Sequence, residues 1–280
     1  MHNFRALVAF ALFLSGCDTS ISPERLEAPG AETTRLEADL RFLADDTLEG
    51  REAGTRGYDL AALYVAERFR ALGLEPGGVN GSFFQPVPLL EYEPGATASL
   101  TIGELELASG EDYLTLPSGK GETIDVSAPL VFAGLCFASE RHDRDDFDGL
   151  DLEGKIAVCM SGAPKYLNSE EMAHFRSTQA QRVSETGALG LVGIWTESIE
   201  QIFPFERYTR MVNRGFSRMT WLDGDGAPFS SAPNIQAGSA LSLAGGQKLM
   251  SAVGQSWEEI LAVTESDAGD VARFYLGLDA

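Results

Sequence analysis

The densest cluster of side chains that could do chemistry is "HDRDDFDG", residues 142–149. It holds one histidine and four acids: His142, Asp143, Asp145, Asp146 and Asp148. Imidazole nitrogens and carboxylate oxygens this close in sequence could hold a divalent metal ion. However, no calcium-loop spacing fits, and catalytic zinc usually draws its ligands from well-separated segments of a rigid scaffold. The stretch is therefore predicted to be a solvated acidic turn before the strand "GKIAV".

The other candidate acids, bases and nucleophiles lack partners in the sequence. His174, in "EEMAHFRS", is predicted to lie on a helix surface or to be partly packed. Ser161 follows a strand-like run but lacks the G-x-S-x-G pattern of a nucleophile elbow. The doublet Glu258-Glu259 has no histidine near it, and the glycines of "EGREAGTRG" do not follow a strand, so no phosphate loop is implied. We predict no catalytic residue and no metal ligand in this chain.

Two cysteines, Cys136 and Cys159, each lie inside an apolar, strand-like run. Neither has the electropositive surroundings that activate a thiolate. They could pair in an oxidising compartment, or they could pack as buried free thiols. The residues leave both possibilities open.

The N-terminus, "MHNFRALVAFALFLSGCDTS", predicts export and lipid attachment. Its apolar run is too short to span a bilayer and follows a single basic residue, Arg5, as in a signal peptide. "LSGC" resembles the bacterial lipobox, which predicts a signal peptide over 1–16, a lipidated Cys17 and a polar tether over 17–32. An ordinary signal peptide with an incidental cysteine is the alternative. The expected location is the periplasm-facing side of the bacterial cell envelope, with a membrane anchor made of lipid.

The charge balance limits the partners. The formal net charge is -21, and removal of 1–16, whose only charged residue is Arg5, gives -21 - 1 = -22. Such a balance argues against nucleic acid and against an anionic membrane surface as a partner.

Two helices are predicted in the segment 33–83. Thr34 and Glu37 have the spacing of a capping box, and apolar residues at helical spacing continue over 34–43. A second apolar stripe predicts a helix over 58–72, which ends at Gly73.

From about residue 84 the pattern changes to short apolar runs separated by Gly, Pro and Asp clusters. These runs are "FFQPVPLL", "ASLTIGELELASG", "APLVFAGLCF", "GKIAVCMSG" and "GALGLVGIW". A helix over 169–186 and amphipathic stretches over 246–253 and 257–263 accompany them. The predicted fold class is α+β, with a β-rich domain over 84–265 and a C-terminal tail over 266–280.

The N-terminal stretch "LRFLADDTLEGREAGTRGYDLAALYVAERFRALGLEPGG", followed by "GSFFQPVPL", resembles the opening of the di-zinc aminopeptidases of metallopeptidase family 28. The next segments resemble the protease-associated (PA) domain inserted into many members: "APLVFAGLCF", "DDFDGLDLEGKIAVCMSGAP", a helix, and "ETGALGLVGI". The resemblance spans about residues 36–200, and 200–280 fit the rest of the insert more loosely. It implies that the two helices belong to an incomplete α/β peptidase domain, so that Leu40, Val65 and Phe69 should not all be deeply buried against a parallel sheet.

The zinc chemistry of that family lies beyond the insert, in a His-x-Asp segment, a Glu-Glu pair, a further acid and a last His. One glutamate of the pair acts as base toward the water that bridges two zinc ions. This sequence stops at Ala280, and neither His142 nor His174 lies in a matching motif. The resemblance therefore carries over no catalytic residue and no cofactor, although two zinc ions are expected in complete family members.

Three hypotheses follow from the resemblance. The first is a truncated zinc aminopeptidase-like lipoprotein that carries the PA domain and is inactive alone. The second is a lipid-anchored PA-domain module that binds peptides or a partner protein. The third is one half of a peptidase that another chain completes.

Overall fold

The computed structural model describes residues 30–93, 98–117, 124–215, 217–264 and 271–280. The chain divides into two compact units, one that ends at Phe84 and one that begins at Gln85. In the described part, no helix is both long enough and apolar enough to cross a membrane.

The first unit consists of helices α1 (Ala31–Leu43) and α2 (Arg56–Ala71) with a short 3-10 segment, Asp46–Arg51, between them. The rings of Phe42 and Tyr64 stack with their centroids 4.2 Å apart. Gly57 is required where α2 meets the connecting segment, because a Cβ there would lie 1.8 Å from the carbonyl oxygen of Leu48.

The start of α1 differs from the prediction. The helix begins at Ala31 with Gly30 as its N-cap, and no side chain caps it. The predicted cap at Thr34 is wrong, because this residue lies within the first turns and its hydroxyl donates to the Gly30 carbonyl at 3.3 Å. The end of α2 agrees with the prediction, since Gly73 directly after it has a left-handed φ of +75°.

Large apolar side chains of the first unit are exposed. Leu40 is 60% exposed and Phe69 is 42% exposed, while Val65 is half-buried. None of the three side chains is deeply buried, which agrees with the expectation from the sequence.

The second unit is built on a six-stranded sheet in the order β10-β3-β6-β7-β9-β2. The strands of the unit are β1 (Leu89–Tyr92), β2 (Tyr113–Leu116), β3 (Pro129–Ala133), β4 (Ala138–Ser139), β5 (Arg144–Asp145), β6 (Ile156–Met160), β7 (Gly190–Ile194), β8 (Arg218–Trp221), β9 (Ala237–Leu241) and β10 (Arg273–Asp279). The four central strands are parallel, whereas β10 and β2 pair antiparallel at the two edges. The pairs β1-β8 and β4-β5 form separate two-stranded sheets.

Helices cover both faces of this sheet. They are α3 (Ser169–Ser177), α4 (Gln179–Glu185), α5 (Glu197–Ile202), α6 (Phe205–Asn213), α7 (Leu243–Ala252) and α8 (Trp257–Thr264). Phe132 and Val158 pack in one buried cluster with residues of α7 and α8, and Val131 and Ala157 pack in another with Val183 of α4. Burial on both faces explains why β3 and β6 read as continuous apolar runs rather than alternating ones.

The mixed helix and strand content agrees with the predicted α+β class, but three element predictions need correction. The run "ASLTIGELELASG" contains isolated bridges instead of a regular strand. The helix over 169–186 is interrupted at Thr178, which separates α3 from α4. Within the predicted tail 266–280, the strand β10 (Arg273–Asp279) pairs with β3, so that segment belongs to the sheet rather than to a tail.

Candidate binding cleft at the acidic turn

The acidic turn follows the carboxyl end of β3, the edge at which parallel sheets commonly bind ligands. The connecting loop turns sharply because Gly134 and Cys136 adopt left-handed φ values of +52° and +51°. A disulfide joins Cys136 to Cys159 of β6, which settles the question that the sequence left open. The loop is thus attached covalently to the neighbouring strand.

A buried ion pair forms the base of the turn. The carboxylate of Asp146 accepts from the backbone N–H groups of Leu135 and Phe137 at 2.9 and 3.2 Å. Its other oxygen accepts from Arg144 Nε at 2.7 Å, and the two side chains are 0% and 1% exposed. The Arg144 guanidinium also donates to the Thr264 carbonyl at 3.1 Å. The prediction of a solvated acidic turn therefore fails for Asp146, which is buried and holds the turn through its hydrogen bonds.

Burial raises the pKa of Asp146, although the hydrogen bond and charge of Arg144 and the two backbone amides act in the opposite direction. Sequence reasoning missed Arg144 as the partner of this acid. The two residues are separated by one position, and in an extended backbone such residues point to the same side of the chain. This spacing could have indicated the pair.

Above this ion pair lies a cleft of about 620 Å³. It is lined by Ala138, Ser139, Glu140, Asp143, Arg144, Asp145, Asp148 and Arg273. The volume falls within the roughly 300–1,000 Å³ typical of ligand sites. Glu140 and Arg273, which the sequence analysis did not single out, belong to this lining.

The cleft is predominantly acidic. Glu140, Asp143, Asp145 and Asp148 are exposed, and the charge of Arg144 is matched by Asp146 beneath it. Arg273 donates to the Asp145 carbonyl at 2.9 Å and lies 3.8 Å from the Asp148 carboxylate. Four carboxylates against one further cation favour a positively charged ligand.

The two histidines lie outside the cleft. His142 is surrounded by the rings of Phe137, Tyr166 and Phe175, and its Nε2 lies 3.8 Å from the Glu171 carboxylate. His174 is exposed on α3. Within the described ranges, no group of three or more His, Cys, Asp or Glu side chains could hold a metal ion.

The remaining candidates of the sequence analysis are not brought together. Ser161 follows β6, where its carbonyl accepts from the Thr196 hydroxyl at 3.0 Å. Glu258 and Glu259 are exposed on α8. Cys17, the predicted lipidation site, lies outside the described residues.

A second cleft, of about 560 Å³, lies where the parallel strands begin. Its lining consists of Ile124, Glu153, Glu185, Gly187, Leu189, Pro233, Asn234 and Gln236. The Asn234 amide is already engaged with the Ser184 carbonyl at 2.8 Å. The cleft at the acidic turn combines more charge with a floor fixed by the disulfide and the ion pair, which makes it the stronger candidate.

The fold is a mixed α/β domain with an acid-lined cleft. Among solved structures, an aminopeptidase from Aneurinibacillus sp. strain AM-1 shows a distant likeness, with a TM-score of 0.36 and 17% sequence identity. The alignment covers 78% of this chain and 40% of that aminopeptidase, so the chain spans less than half of its length. No protein-family model matches the chain, and no curated protein matches it.

Proposed function

We propose that residues 85–280 are a PA-like, non-catalytic domain that binds a positively charged peptide segment in the cleft at the acidic turn. The observation that carries this proposal is the convergence of four exposed carboxylates on a cleft of about 620 Å³. The sequence resemblance to the PA insert of aminopeptidases supplies the class of partner, a peptide or a protein.

The chemistry of the cleft suits this ligand. An ammonium or guanidinium group can be held by carboxylate oxygens through charge-assisted hydrogen bonds. The floor below the acids is fixed by the Arg144–Asp146 pair and the Cys136–Cys159 disulfide, so the acids need little reordering when a ligand enters. Exposed acids around a rigid floor favour fast, salt-sensitive association with basic segments.

A direct test measures binding of a fluorescent lysine-rich peptide to the full chain carrying Cys17→Ala, with an acidic peptide of equal length for comparison. The double variant Asp143→Asn/Asp148→Asn should bind the basic peptide roughly 10-fold more weakly, because two charges that face the ligand are lost. The matched control Glu258→Gln/Glu259→Gln, which removes two exposed acids from α8, should bind like the parent. Equal losses in both variants would mean that only the global charge matters, and the cleft proposal would fail.

The proposed lipid anchor places this domain at the envelope membrane. Acylation of Cys17 after cleavage behind Gly16 would attach the mature chain through the tether 17–32. Mass spectrometry of the membrane fraction should find the acylated N-terminal peptide, and Cys17→Ala should move the chain to the soluble fraction. An unmodified, soluble parent chain would contradict the anchor.

We further propose that residues 17–280 have no aminopeptidase activity alone. A two-zinc site needs about six protein ligands, and the histidines among them need orienting partners. The mature sequence has only His142 and His174, which lie in unrelated segments. Metal analysis should find no stoichiometric zinc, and aminoacyl-nitroanilide substrates should not be cleaved with added zinc. Chelator-sensitive turnover that survives His142→Ala and His174→Ala would contradict this.

A second candidate function is favoured by the exposed apolar residues of the first unit. Leu36 and Leu40 on α1 are each 60% exposed, and Leu63 and Phe69 on α2 are 50% and 42% exposed. Such residues could pack on the sheet of a chain that carries the zinc ligands, which would restore peptidase activity in trans. Activity that appears only when such a chain is added, and that Leu40→Asp/Phe69→Asp abolishes, would support this function over the binding module.

A further inference from the structure

The two-stranded sheet of β1 and β8 presents its more apolar face to solvent. Opposite residues of an antiparallel pair point to the same face of a sheet. One face therefore carries Leu89, Glu91, Met219 and Trp221. The three apolar members of this face are 40%, 39% and 46% exposed, whereas the other face is half-buried apart from Arg218. A sheet with one solvated face usually turns its polar residues outward, so this reversed arrangement is typical of a contact surface.

The exposed apolar side chains form a row that leads across the sheet to β1. The ring of Trp221 stacks on that of Phe229 with the centroids 4.0 Å apart, and Phe229 is 45% exposed. The carbonyl of Trp221 accepts from the Phe229 N–H at 2.9 Å, so residue 229 lies on the side of β8 away from β1. Trp221 lies opposite Leu89 on β1. The row Phe229–Trp221–Leu89 thus ends at β1, where a further strand would have Leu89 as its apolar neighbour.

The backbone of β1 offers unpaired groups along its outer edge. Among the described strands, β1 pairs only with β8, and the Leu222 N–H donates to the Pro88 carbonyl at 2.9 Å. Because inward and outward backbone groups alternate in an antiparallel ladder, those of Leu89 and Glu91 point away from β8. Within the described part of the chain, the N–H and C=O groups of these two residues have no backbone partner. The edge can therefore accept another strand.

We infer that β1 is a docking edge that binds an extended basic peptide segment by antiparallel strand addition. Main-chain hydrogen bonds to Leu89 and Glu91 would hold the peptide, and alternate side chains of the peptide would lie on the exposed face. An apolar residue fits opposite Leu89 and a lysine or arginine fits opposite Glu91, because such cross-strand pairs stabilise a sheet. The Glu91 carboxylate is exposed and accepts from the Ser217 hydroxyl, which leaves it able to pair with a cation.

Charge selects a basic peptide over a second copy of this chain. Acids outnumber bases by 42 to 21, so two copies repel each other. Pairing of β1 with the β1 of another copy would also bring two Glu91 carboxylates to the same edge, and like charges on neighbouring strands destabilise a sheet. A basic segment has the complementary charge. None of the residues that line the acidic cleft takes part, so this inference does not depend on the cleft.

The test uses the full chain with Cys17→Ala and the peptide Thr-Thr-Lys-Thr-Leu-Thr-Thr, which carries an N-terminal fluorophore and a C-terminal amide. Antiparallel addition places its lysine opposite Glu91 and its leucine opposite Leu89. Methylation of the lysine and leucine backbone nitrogens should weaken binding about 10-fold or more, because the two hydrogen bonds that the peptide donates to β1 are lost. Methylation of the central threonine nitrogen, which would point away from β1, is the matched control and should leave binding unchanged.

Variants of the chain test the side-chain part of the inference. Glu91→Gln should weaken binding about threefold and reduce its dependence on salt, whereas Leu89→Thr should weaken it about threefold and leave the salt dependence unchanged. Glu258→Gln, which removes an exposed acid from α8, should bind the peptide like the parent. Asp143→Asn/Asp148→Asn should also bind like the parent, which separates this edge from the acidic cleft. Circular dichroism should show that all variants are folded.

Three results would overturn the inference. Equal effects of the two methylation patterns would mean that the peptide does not add as a strand. A parent chain that sediments as a dimer, and that Leu89→Thr converts to a monomer, would assign the edge to a second copy. Binding that is lost in Asp143→Asn/Asp148→Asn but kept in Glu91→Gln would assign this peptide to the acidic cleft, whose proposal keeps its own test.

Discussion

Each unit of the molecule contains an aspartate–arginine pair, and the two pairs differ mainly in their exposure to water. Asp146 and Arg144 in the second unit are 0% and 1% exposed, whereas Asp39 and Arg68 in the first are 26% and 36% exposed. Burial raises the pKa of Asp146. The pKa of Asp39 is lowered, chiefly by the hydrogen bond from the Tyr64 hydroxyl, with Arg68 adding to the effect. The same two residue types therefore have opposite electrostatic responses, because only one pair has lost its water.

The largest effect is expected for Asp146→Asn. This variant leaves the Arg144 charge buried without its counter-ion and weakens the acceptor of the Leu135 and Phe137 amides. Removal of one partner of a buried pair costs about 3–5 kcal/mol in the free energy of unfolding, measured by urea denaturation. Asp148→Asn in the same turn, whose side chain is 77% exposed, is the control and should change stability little. Equal effects would show that the burial of Asp146 is energetically unimportant.

Removal of the disulfide should have the next largest effect. Cys136 and Cys159 are 23 residues apart, and the cross-link stabilises the fold mainly by restricting the unfolded chain. Cys136→Ala/Cys159→Ala should lower the free energy of unfolding by about 3 kcal/mol. Dithiothreitol should destabilise the parent but not the variant. If the reductant acts equally on both, the destabilisation does not arise from this bond.

The pH dependence of stability distinguishes the two pairs by sign. Asp39 has a lowered pKa in the folded state, so its contribution is present above the unfolded value near 3.8 and is lost as pH falls through the folded pKa. Asp146 has a raised pKa, so its contribution decreases as pH rises from the unfolded value through the folded one. Unfolding of Asp39→Asn between pH 2.5 and 5 should be less sensitive to acid than unfolding of the parent. A steeper loss on acidification in that variant would reverse the assignment.

Asp112 offers a second check on this sign. Burial raises the pKa of its carboxyl, but the Ala108 amide and the Lys248 ammonium, 2.6 Å away, outweigh it, and the pKa is lowered. The contribution of Asp112 to the free energy of unfolding should therefore be lost on acidification, as for Asp39.

The smallest effect is expected for Asp39→Asn at neutral pH. The pair lies near the surface, where water and salt screen the interaction and the side chains lose entropy on pairing. The change in the free energy of unfolding should be at least threefold smaller than that of Asp146→Asn, and 0.5 M salt should reduce it further. An effect as large as that of Asp146→Asn would mean that exposure does not decide the strength of these pairs.

Local patterns predicted much of the fold. The apolar runs around Val131, Val158 and Val192 form strands β3, β6 and β7, and the second helix ends where Gly73 allows a left-handed turn. The predicted start of the first helix was wrong. Thr34 is a residue type that often caps helices, but the helix begins three residues earlier, at Ala31. The strand β10 was missed because its partner in the sheet, β3, is distant along the chain, and the pairing forms only when the sheet assembles.

The candidate site was predicted less well than the fold. The sequence identified the acids of the turn and found no metal-ligand pattern in them. It did not identify Arg273, which lines the cleft from β10. It also did not predict that His142 packs among aromatic rings outside the cleft. Both depend on contacts between segments that are distant along the chain.

The sequence by itself determined the apolar periodicities, the net charge, the lipobox-like N-terminus and the absence of a matching zinc motif, because each is a property of neighbouring residues or of composition. The tertiary structure alone decided that Cys136 meets Cys159 and that Asp146 is buried on Arg144 while Asp148 remains in water. The physical reason is that pairing and desolvation depend on distances through space, which the order of residues specifies only after the sheet has assembled.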